Sequence, residues 1–213
     1  MKKNTGKIIT VIMALMVLFF GIHSTGQAAV VNNLIKVPTA NIISNQGAVA
    51  GELYGDRGRF EAVYRIDPQL EVGGEIYTAR YGSSRAGFLA RVLFARETSN
   101  SPAVAAGIRG RDLYATASKS LGYGVSGHIG FGNDRFGGLY VGLNKVINPV
   151  SIEITEEGEN KTGTSTLPTT NLMVEYINQE INFGARVNLK NTLYLDLGIL
   201  DLDQFKVGLN YGF

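Results

Sequence analysis

The feature that most constrains this chain is a two-residue alternation of polarity that continues to its final residue. The last nine residues read FKVGLNYGF. Apolar or aromatic side chains occupy every second position of this stretch, namely Phe205, Val207, Leu209, Tyr211 and Phe213. Because successive side chains of a strand point to opposite faces, the stretch predicts a strand with one wholly apolar face. Chain ends normally fray, so such a strand at the terminus needs a partner that holds it.

The same alternation recurs along the chain, in segments such as RFEAVYRI (59–66), AGFLARVLFA (86–95) and TLYLDLGI (192–199). Short clusters rich in Gly, Asn, Asp, Pro or Ser separate them, and no segment keeps a helical period. The pattern predicts an all-β, antiparallel, up-and-down arrangement of about 12 strands, with a range of roughly 10–14. The predicted strands cover residues 47–55, 58–66, 70–79, 85–97, 102–109, 112–119, 124–132, 137–146, 171–177, 180–188, 192–200 and 203–213. Residues 150–155 are either a further strand or part of a long connection, and residues 156–170 are predicted to be a loop.

The N-terminus predicts export. A lysine-rich start, MKKNTGK, precedes the apolar run IITVIMALMVLFFGI and a small, polar exit that ends at Ala29. This order is typical of a signal peptide over residues 1–29, cleaved near Ala29. An uncleaved anchor is the alternative, but the run is shorter than the ~20 residues that a spanning helix needs. Residues 30–46, which contain Pro38, form a periplasmic lead-in or a plug ahead of a barrel over residues 47–213.

Composition excludes several classes of protein. Removal of residues 1–29 takes three lysines, which leaves 17 basic and 18 acidic residues and gives no electrostatic case for nucleic-acid binding. The chain has no cysteine, which excludes disulfides, thiol-metal sites and lipid attachment at an N-terminal cysteine.

The alternation fits either a soluble sandwich or a transmembrane barrel, whose faces are reversed. Many of the 27 glycines fall on the polar face inside strands, where they relieve crowding in a barrel lumen. The same face carries charges of both signs at strand centres. The sequence therefore predicts a transmembrane β-barrel in the outer membrane of a diderm bacterium, with lipid as a partner. The predicted lumen-facing charges are Glu52, Arg59, Glu61, Arg65, Glu71, Glu75, Arg91, Arg109, Glu175, Arg186, Asp196 and Lys206, with Glu153 added if residues 150–155 are a strand.

The C-terminal strand then has a structural reason. An even-stranded barrel closes by pairing its last strand with its first, which leaves no edge to fray. The alternate residues from Phe205 to the terminal Phe213 resemble the assembly signal of outer-membrane barrels. The barrel-assembly machinery is thus a predicted partner.

Catalytic motifs are weak. His128 lies on the polar face of GVSGHIGFG with Ser126, which leaves open a barrel-embedded hydrolase that uses His128. Such chemistry also needs an activated serine, an orienting group and an oxyanion site. The glycines of GFGNDRFGG do not make a phosphate loop, because Arg135 replaces a required glycine. We expect no enzyme activity, no metal and no cofactor.

Four stretches resemble the YjbH-type outer-membrane proteins: NLIKVPTANIISNQGAV (33–49), DLYATASKSLGYG (112–124), DRFGGLYVGLN (134–144) and residues 171–213. The resemblance implies a β-barrel associated with exopolysaccharide or capsule production and export, here in a short single-barrel version. It implies no catalytic residues. The resulting hypothesis is a non-enzymatic accessory or channel component, whose partner is an extracellular polysaccharide or its export apparatus. The alternative is a structural envelope barrel without transport.

Overall fold

The computed structural model describes residues 33–79, 84–147, 151–155, 162–166, 168–190 and 192–213. The predicted signal peptide and residues 30–32 lie outside these ranges. Fourteen strands and one short 3₁₀ turn, Asp134–Phe136, follow one another along the described chain. No helix among the described residues is long and apolar enough to cross a membrane.

Twelve of the strands form one closed antiparallel barrel, which confirms the predicted fold class. Neighbours in the sequence are neighbours in the barrel, except that β8 pairs with β11 across an intervening hairpin. The barrel strands are β1 (Gly47–Tyr54), β2 (Arg57–Asp67), β3 (Leu70–Ala79), β4 (Arg85–Ala95), β5 (Ala103–Arg109), β6 (Asp112–Gly122), β7 (Val125–Gly132), β8 (Gly138–Ile147), β11 (Thr170–Ile177), β12 (Glu180–Lys190), β13 (Leu193–Leu200) and β14 (Gln204–Gly212).

The last strand closes the barrel against the first. The register aligns Ala48 with Gly212 and Tyr54 with Lys206. Beyond it, the Gly47 N–H donates to the Phe213 carbonyl (3.0 Å) and the Phe213 N–H donates to the Gly47 carbonyl (2.9 Å). Every strand of the barrel therefore has two neighbours, and the terminal strand has no free edge. The rim that carries Gly47 and Phe213 is called the terminal end below, and the opposite rim is called the turn end.

The connection between β8 and β11 differs from the prediction. Its strands β9 (Ser151–Thr155) and β10 (Thr162–Thr166) pair only with each other, in a separate hairpin. The prediction of a loop over residues 156–170 is wrong for 162–166. Threonine is a good strand former, so TGTST pairs once 151–155 offers an edge. Glu153 lies in this hairpin, so it is not part of the barrel wall.

The two faces of the barrel wall are reversed relative to a soluble protein. Large apolar side chains are exposed on the outside, among them Phe88, Phe94, Phe131, Leu139, Phe183 and Phe205. Charged side chains at alternate positions are buried, including Glu61, Glu75, Arg91, Arg109 and Lys206. An apolar outer band around a charged interior is the arrangement of a transmembrane barrel.

Candidate functional site

The lumen is occupied by residues 33–46, which we call the inserted segment. Leu34, Ile35 and Val37 are buried inside the barrel. They share one apolar cluster with six buried residues of the wall and of the 3₁₀ turn: Tyr114, Phe136, Tyr140, Met173, Ile177 and Leu200. Further along the segment, Ala40 and Ile43 pack in two smaller clusters against the opposite wall. The inserted segment thus runs from β1 into the interior of the barrel.

The tip of the segment is a tight turn held by one carboxylate. The Leu34 N–H donates to the Val37 carbonyl (2.9 Å), which folds residues 34–37 back on themselves. Glu175 of β11, only 2% exposed, then accepts three successive main-chain N–H groups. These come from Ile35 (3.2 Å), Lys36 (2.8 Å) and Val37 (2.8 Å). Successive N–H groups that converge on one anion form a nest, which is a strong arrangement in a dry interior.

Charged side chains of other strands hold the carbonyl groups of the segment. Lys206 donates to the Ile35 carbonyl (3.1 Å), and Arg186 donates to the Asn33 carbonyl (3.2 Å). Nearer the terminal end, Arg65 of β2 donates to the Ser44 carbonyl (2.6 Å) and Arg91 of β4 donates to the Asn41 carbonyl (2.9 Å). Glu71 of β3 accepts the Ile43 N–H (3.1 Å), and Ser118 of β6 accepts the Ala40 N–H (2.8 Å). Since buried main-chain groups must find partners, these bonds let an irregular segment lie inside a barrel.

Glycines of the wall make room for the apolar side chains of the tip. A Cβ atom at Gly142 would collide with the Leu34 side chain. A Cβ atom at Gly184 would lie 2.8 Å from Ile35 Cγ1, and one at Gly198 would lie 3.7 Å from Ile35 Cγ2. Gly142 and Gly184 therefore form a socket for the inserted segment, whereas a Cβ atom at Gly198 would meet Ile35 at an ordinary contact distance and the Phe183 carbonyl at 3.2 Å.

The twelve predicted lumen charges lie on the inside of the wall, where Arg59 and Arg65 are partly buried and the other ten are buried. Most are joined in ion pairs. The shortest contacts are Glu52 with Arg59 (2.7 Å) and with Lys206 (2.7 Å), Arg109 with Glu61 (2.9 Å), Arg91 with Glu71 (3.1 Å) and Arg186 with Asp196 (2.7 Å). Strand parity predicts that these twelve side chains face the lumen. It does not predict that Glu175 binds main-chain N–H groups rather than an arginine.

His128 belongs to the same system of polar contacts. Its Nδ1 lies 2.7 Å from Ser118 Oγ and its Nε2 lies 2.8 Å from Asn144 Oδ1. The sequence placed Ser126 beside His128, whereas the structure places Ser118 there, on the neighbouring strand. Ser118 Oγ also accepts the Ala40 N–H and is buried under the inserted segment. This arrangement orients Ser118 to anchor the inserted segment through the Ala40 N–H.

An open cavity, which we call the vestibule, lies between the tip of the segment and the turn end. Its volume is about 670 Å³. Ile35 and Lys36 line its floor, and Lys36 Nζ binds Glu180 at the start of β12. Its wall carries residues that are not among the predicted lumen-facing charges, notably Arg57, Arg85 and Arg135 with Tyr54 and Tyr77. No signal in the strand alternation marks them, because most lie at strand ends or in a turn.

Arg135 shows how the vestibule wall is held. Its guanidinium donates to Asp112, to Glu75 (2.9 Å) and to the Tyr77 hydroxyl (2.6 Å). Burial opposes the charge, but Tyr77 and Glu75 outweigh it and raise the pKa of Arg135 above its ordinary value. Arg135 therefore stays cationic, and it ties the turn after β7 to β3.

Among the described residues no group of three or more side chains has the composition of a metal site.

The buried pair of Arg186 and Asp196 predicts a large effect on stability. Asp196 accepts two bonds from Arg186 (2.7 and 2.8 Å) and one from Asn210 (2.8 Å). Asp196→Ala leaves a buried guanidinium without its counter-ion, so we expect a loss of about 3–5 kcal/mol in the free energy of unfolding. Urea titration of the purified barrel, followed by heat-dependent mobility on gels, measures this loss.

Glu97, whose contact with Lys119 (3.5 Å) is partly exposed, provides the control, and Glu97→Ala is expected to cost less than about 1 kcal/mol. The double variant Arg186→Leu with Asp196→Leu is expected to be more stable than Asp196→Ala. Equal stability of Asp196→Ala and the unaltered protein would show that this pair is not buried as described.

Comparison with protein-family models finds no match, and comparison with curated proteins finds none either. Among solved structures, the barrel is similar to the KdgM porin, with a TM-score of 0.51 and 13% identity over 78% of this chain and 98% of that one. The structure of the KdgM porin in complex with disordered oligogalacturonate gives a TM-score of 0.49 and 14% identity over 78% of this chain and 98% of that one. The Acinetobacter baumannii outer membrane protein Omp33 gives a TM-score of 0.41 and 12% identity over 79% of this chain and 98% of that one. At this level of identity the first similarity shows the transmembrane-barrel fold.

Proposed function

We propose that this chain is a non-enzymatic outer-membrane barrel whose pore is closed by its own inserted segment, and that it serves as a channel component in polysaccharide export. The observation that carries the proposal is that the Glu175 carboxylate accepts hydrogen bonds from three successive N–H groups at the tip of the segment. These bonds hold the irregular inserted segment across the lumen.

The membrane assignment is supported by the outer surface. Exposed apolar side chains occur on β3, β4, β7, β8, β12 and β14, and hydrocarbon solvates such a surface where water does not. The closed hydrogen-bond ladder satisfies the main chain of the wall, as a lipid environment requires.

A channel explains the interior better than a purely structural barrel does. Barrels of about eight strands are filled by their own side chains, whereas twelve strands enclose more space. Here the inserted segment fills part of that space through hydrogen bonds and apolar contacts, and it leaves a vestibule of about 670 Å³. Water that enters an opened lumen replaces part of these hydrogen bonds, which lowers the free-energy cost of moving the segment out. The fold shared with the KdgM porin supports a pore-forming role.

The export role rests on the resemblance of residues 33–49, 112–124, 134–144 and 171–213 to the YjbH-type proteins. Residues 33–46 of the first stretch form the inserted segment. Reduced release of extracellular polysaccharide by cells that lack the protein would support this role. Unchanged release would contradict it.

The location and the closed state have one combined test. We expect the protein in outer-membrane fractions, with a mobility shift between unboiled and boiled gel samples, because a closed barrel resists detergent until heated. In planar bilayers the unaltered protein is expected to show no sustained conductance. Recovery as a water-soluble protein without detergent would overturn the membrane assignment, and steady conductance would overturn the closed state.

The second candidate is a structural barrel without transport, favoured by the many hydrogen bonds that hold the segment. A substitution that releases the segment separates the two roles. A channel then conducts, and a structural barrel stays silent.

A further inference from the structure

One wall of the vestibule is built from arginines. Five of them line the cavity, from β2, β4, β5 and the turn after β7: Arg57, Arg59, Arg85, Arg109 and Arg135. With Lys36 and Lys206 the lining holds seven cationic side chains and two carboxylates, Glu52 and Glu180. The carboxylates of Glu61, Glu75 and Asp112 lie behind this surface and pair with Arg109 and Arg135. Positive charge therefore faces the cavity, and much of the negative charge is behind it.

The arginines divide into fixed and available groups. Arg59 and Arg109 are nearly buried and bound to Glu52 (2.7 Å) and Glu61 (2.9 Å), so their position is set by the wall. Arg57 is 64% exposed, and its nearest carboxylate, that of Asp56, lies 3.9 Å away. Arg85 is exposed and makes no ion pair with another residue that the structure describes. Both available guanidinium groups lie at the rim, where a ligand would enter.

Aromatic rings stand among these cations. Tyr77 lies 5.1 Å from the Arg135 guanidinium, measured to the ring centroid, and its hydroxyl donates to Glu75 (3.0 Å). Tyr54 lines the same cavity and packs against the apolar cluster of the tip. Rings held in this way present an apolar face with a polar edge, which suits the C–H faces and hydroxyl groups of a sugar ring.

We infer that the vestibule is a binding site for an acidic oligosaccharide, with Arg57 and Arg85 pairing its carboxylates and the two tyrosines contacting its rings. This inference rests on the proposed function and names its substrate class. A guanidinium fork matches a carboxylate in a bidentate pair. A cavity of about 670 Å³ falls within the size range of small-ligand sites, and it is larger than a lone inorganic anion needs.

Binding is tested with the full mature barrel in detergent by titration calorimetry. The ligands are a uronic acid tetrasaccharide, the same tetrasaccharide with its carboxyl groups reduced to alcohols, and inorganic phosphate. We expect the uronic acid form to bind at least about tenfold more tightly than the other two, with an affinity that falls as salt rises. Equal affinity for the reduced form would overturn the inference, and so would phosphate binding as tightly as the tetrasaccharide.

The variant that tests the residues is Arg57→Gln combined with Arg85→Gln. Neither side chain belongs to the buried ion pairs, so the barrel is expected to keep its heat-dependent mobility and lose tetrasaccharide affinity about tenfold or more. Arg96→Gln is the matched control, because Arg96 is exposed at the terminal end, where it donates to the Pro68 carbonyl (3.4 Å). Loss of affinity in the control alone, or no loss in the double variant, would overturn the assignment.

This test separates failure of the site from failure of the channel. Binding requires only the closed barrel, whereas conduction requires release of the segment. A barrel that binds the acidic tetrasaccharide and never conducts contradicts the proposed function and supports the site. A barrel that conducts when loosened and shows no preference for the acidic ligand contradicts the site alone.

Discussion

Replacing Glu175 with alanine is expected to turn a silent barrel into a conducting one. The carboxylate accepts N–H groups from Ile35, Lys36 and Val37 and a further bond from Asn182 (2.9 Å). Hydrogen bonds to a charged group contribute about 1.5–3 kcal/mol each, and water in an opened lumen replaces part of that. We therefore expect the closed state to lose about 4 kcal/mol, roughly a thousandfold change in the ratio of closed to open barrels. Planar-bilayer recording measures it as sustained conductance.

Three comparisons make this result specific. Glu175→Gln keeps the shape and removes the charge, so its conductance is expected to be intermediate. Glu97→Gln alters a carboxylate that accepts one main-chain N–H, from Ser120 (2.9 Å), at the terminal end of the barrel, and it is expected to stay silent. Deletion of residues 33–43 removes most of the segment and gives the upper limit of conductance.

A steric route leads to the same opening without a change of charge. Gly142→Val places side-chain atoms where Leu34 now lies, and the next nearest side chain, that of Val37 at 3.5 Å, also belongs to the inserted segment. The substitution should therefore push the segment and spare the wall. If Glu175→Ala, Gly142→Val and the deletion variant all fold and all remain silent, the protein is a sealed structural barrel and the channel proposal is wrong.

The second large effect concerns two adjacent glycines on opposite faces of β3. A Cβ atom at Gly73 would collide with the Ala62 carbonyl and come within 2.9 Å of Val63 Cα, both of which are backbone atoms that cannot move aside. A Cβ atom at Gly74 would meet nothing nearer than the Gly87 carbonyl at 3.6 Å. Gly73→Val is expected to destabilise the barrel by about 3 kcal/mol or more, because overpacking here strains the wall itself.

Gly74→Val is the matched control, since it adds the same side chain one position away, on the outer face. It is expected to be neutral or slightly stabilising, because valine favours strands and lipid accepts its methyl groups. Yield of the heat-shifting band in outer-membrane fractions measures both variants. Equal yields of the two would mean that Gly73 does not face a crowded interior.

Local pattern was sufficient to predict the wall. A period of two, which is a property of neighbouring residues, is enough to predict the strand positions and the burial of Lys206, Gly208 and Asn210 on the lumen face. The strand at residues 162–166 was missed because TGTST has no alternation of apolar and polar residues, and its pairing depends on the edge that Ser151–Thr155 offers.

The contents of the lumen were decided by tertiary structure. Parity places Glu175 inside, but its partners are main-chain groups 138 to 140 positions away along the chain. His128 likewise pairs with Ser118 rather than with Ser126 on its own strand. The sequence by itself determined which side chains face in and which face out, because that depends on the geometry of a single strand. Only the closed barrel decided which of the enclosed groups meet across the lumen, because those contacts depend on where a distant, irregular segment comes to lie.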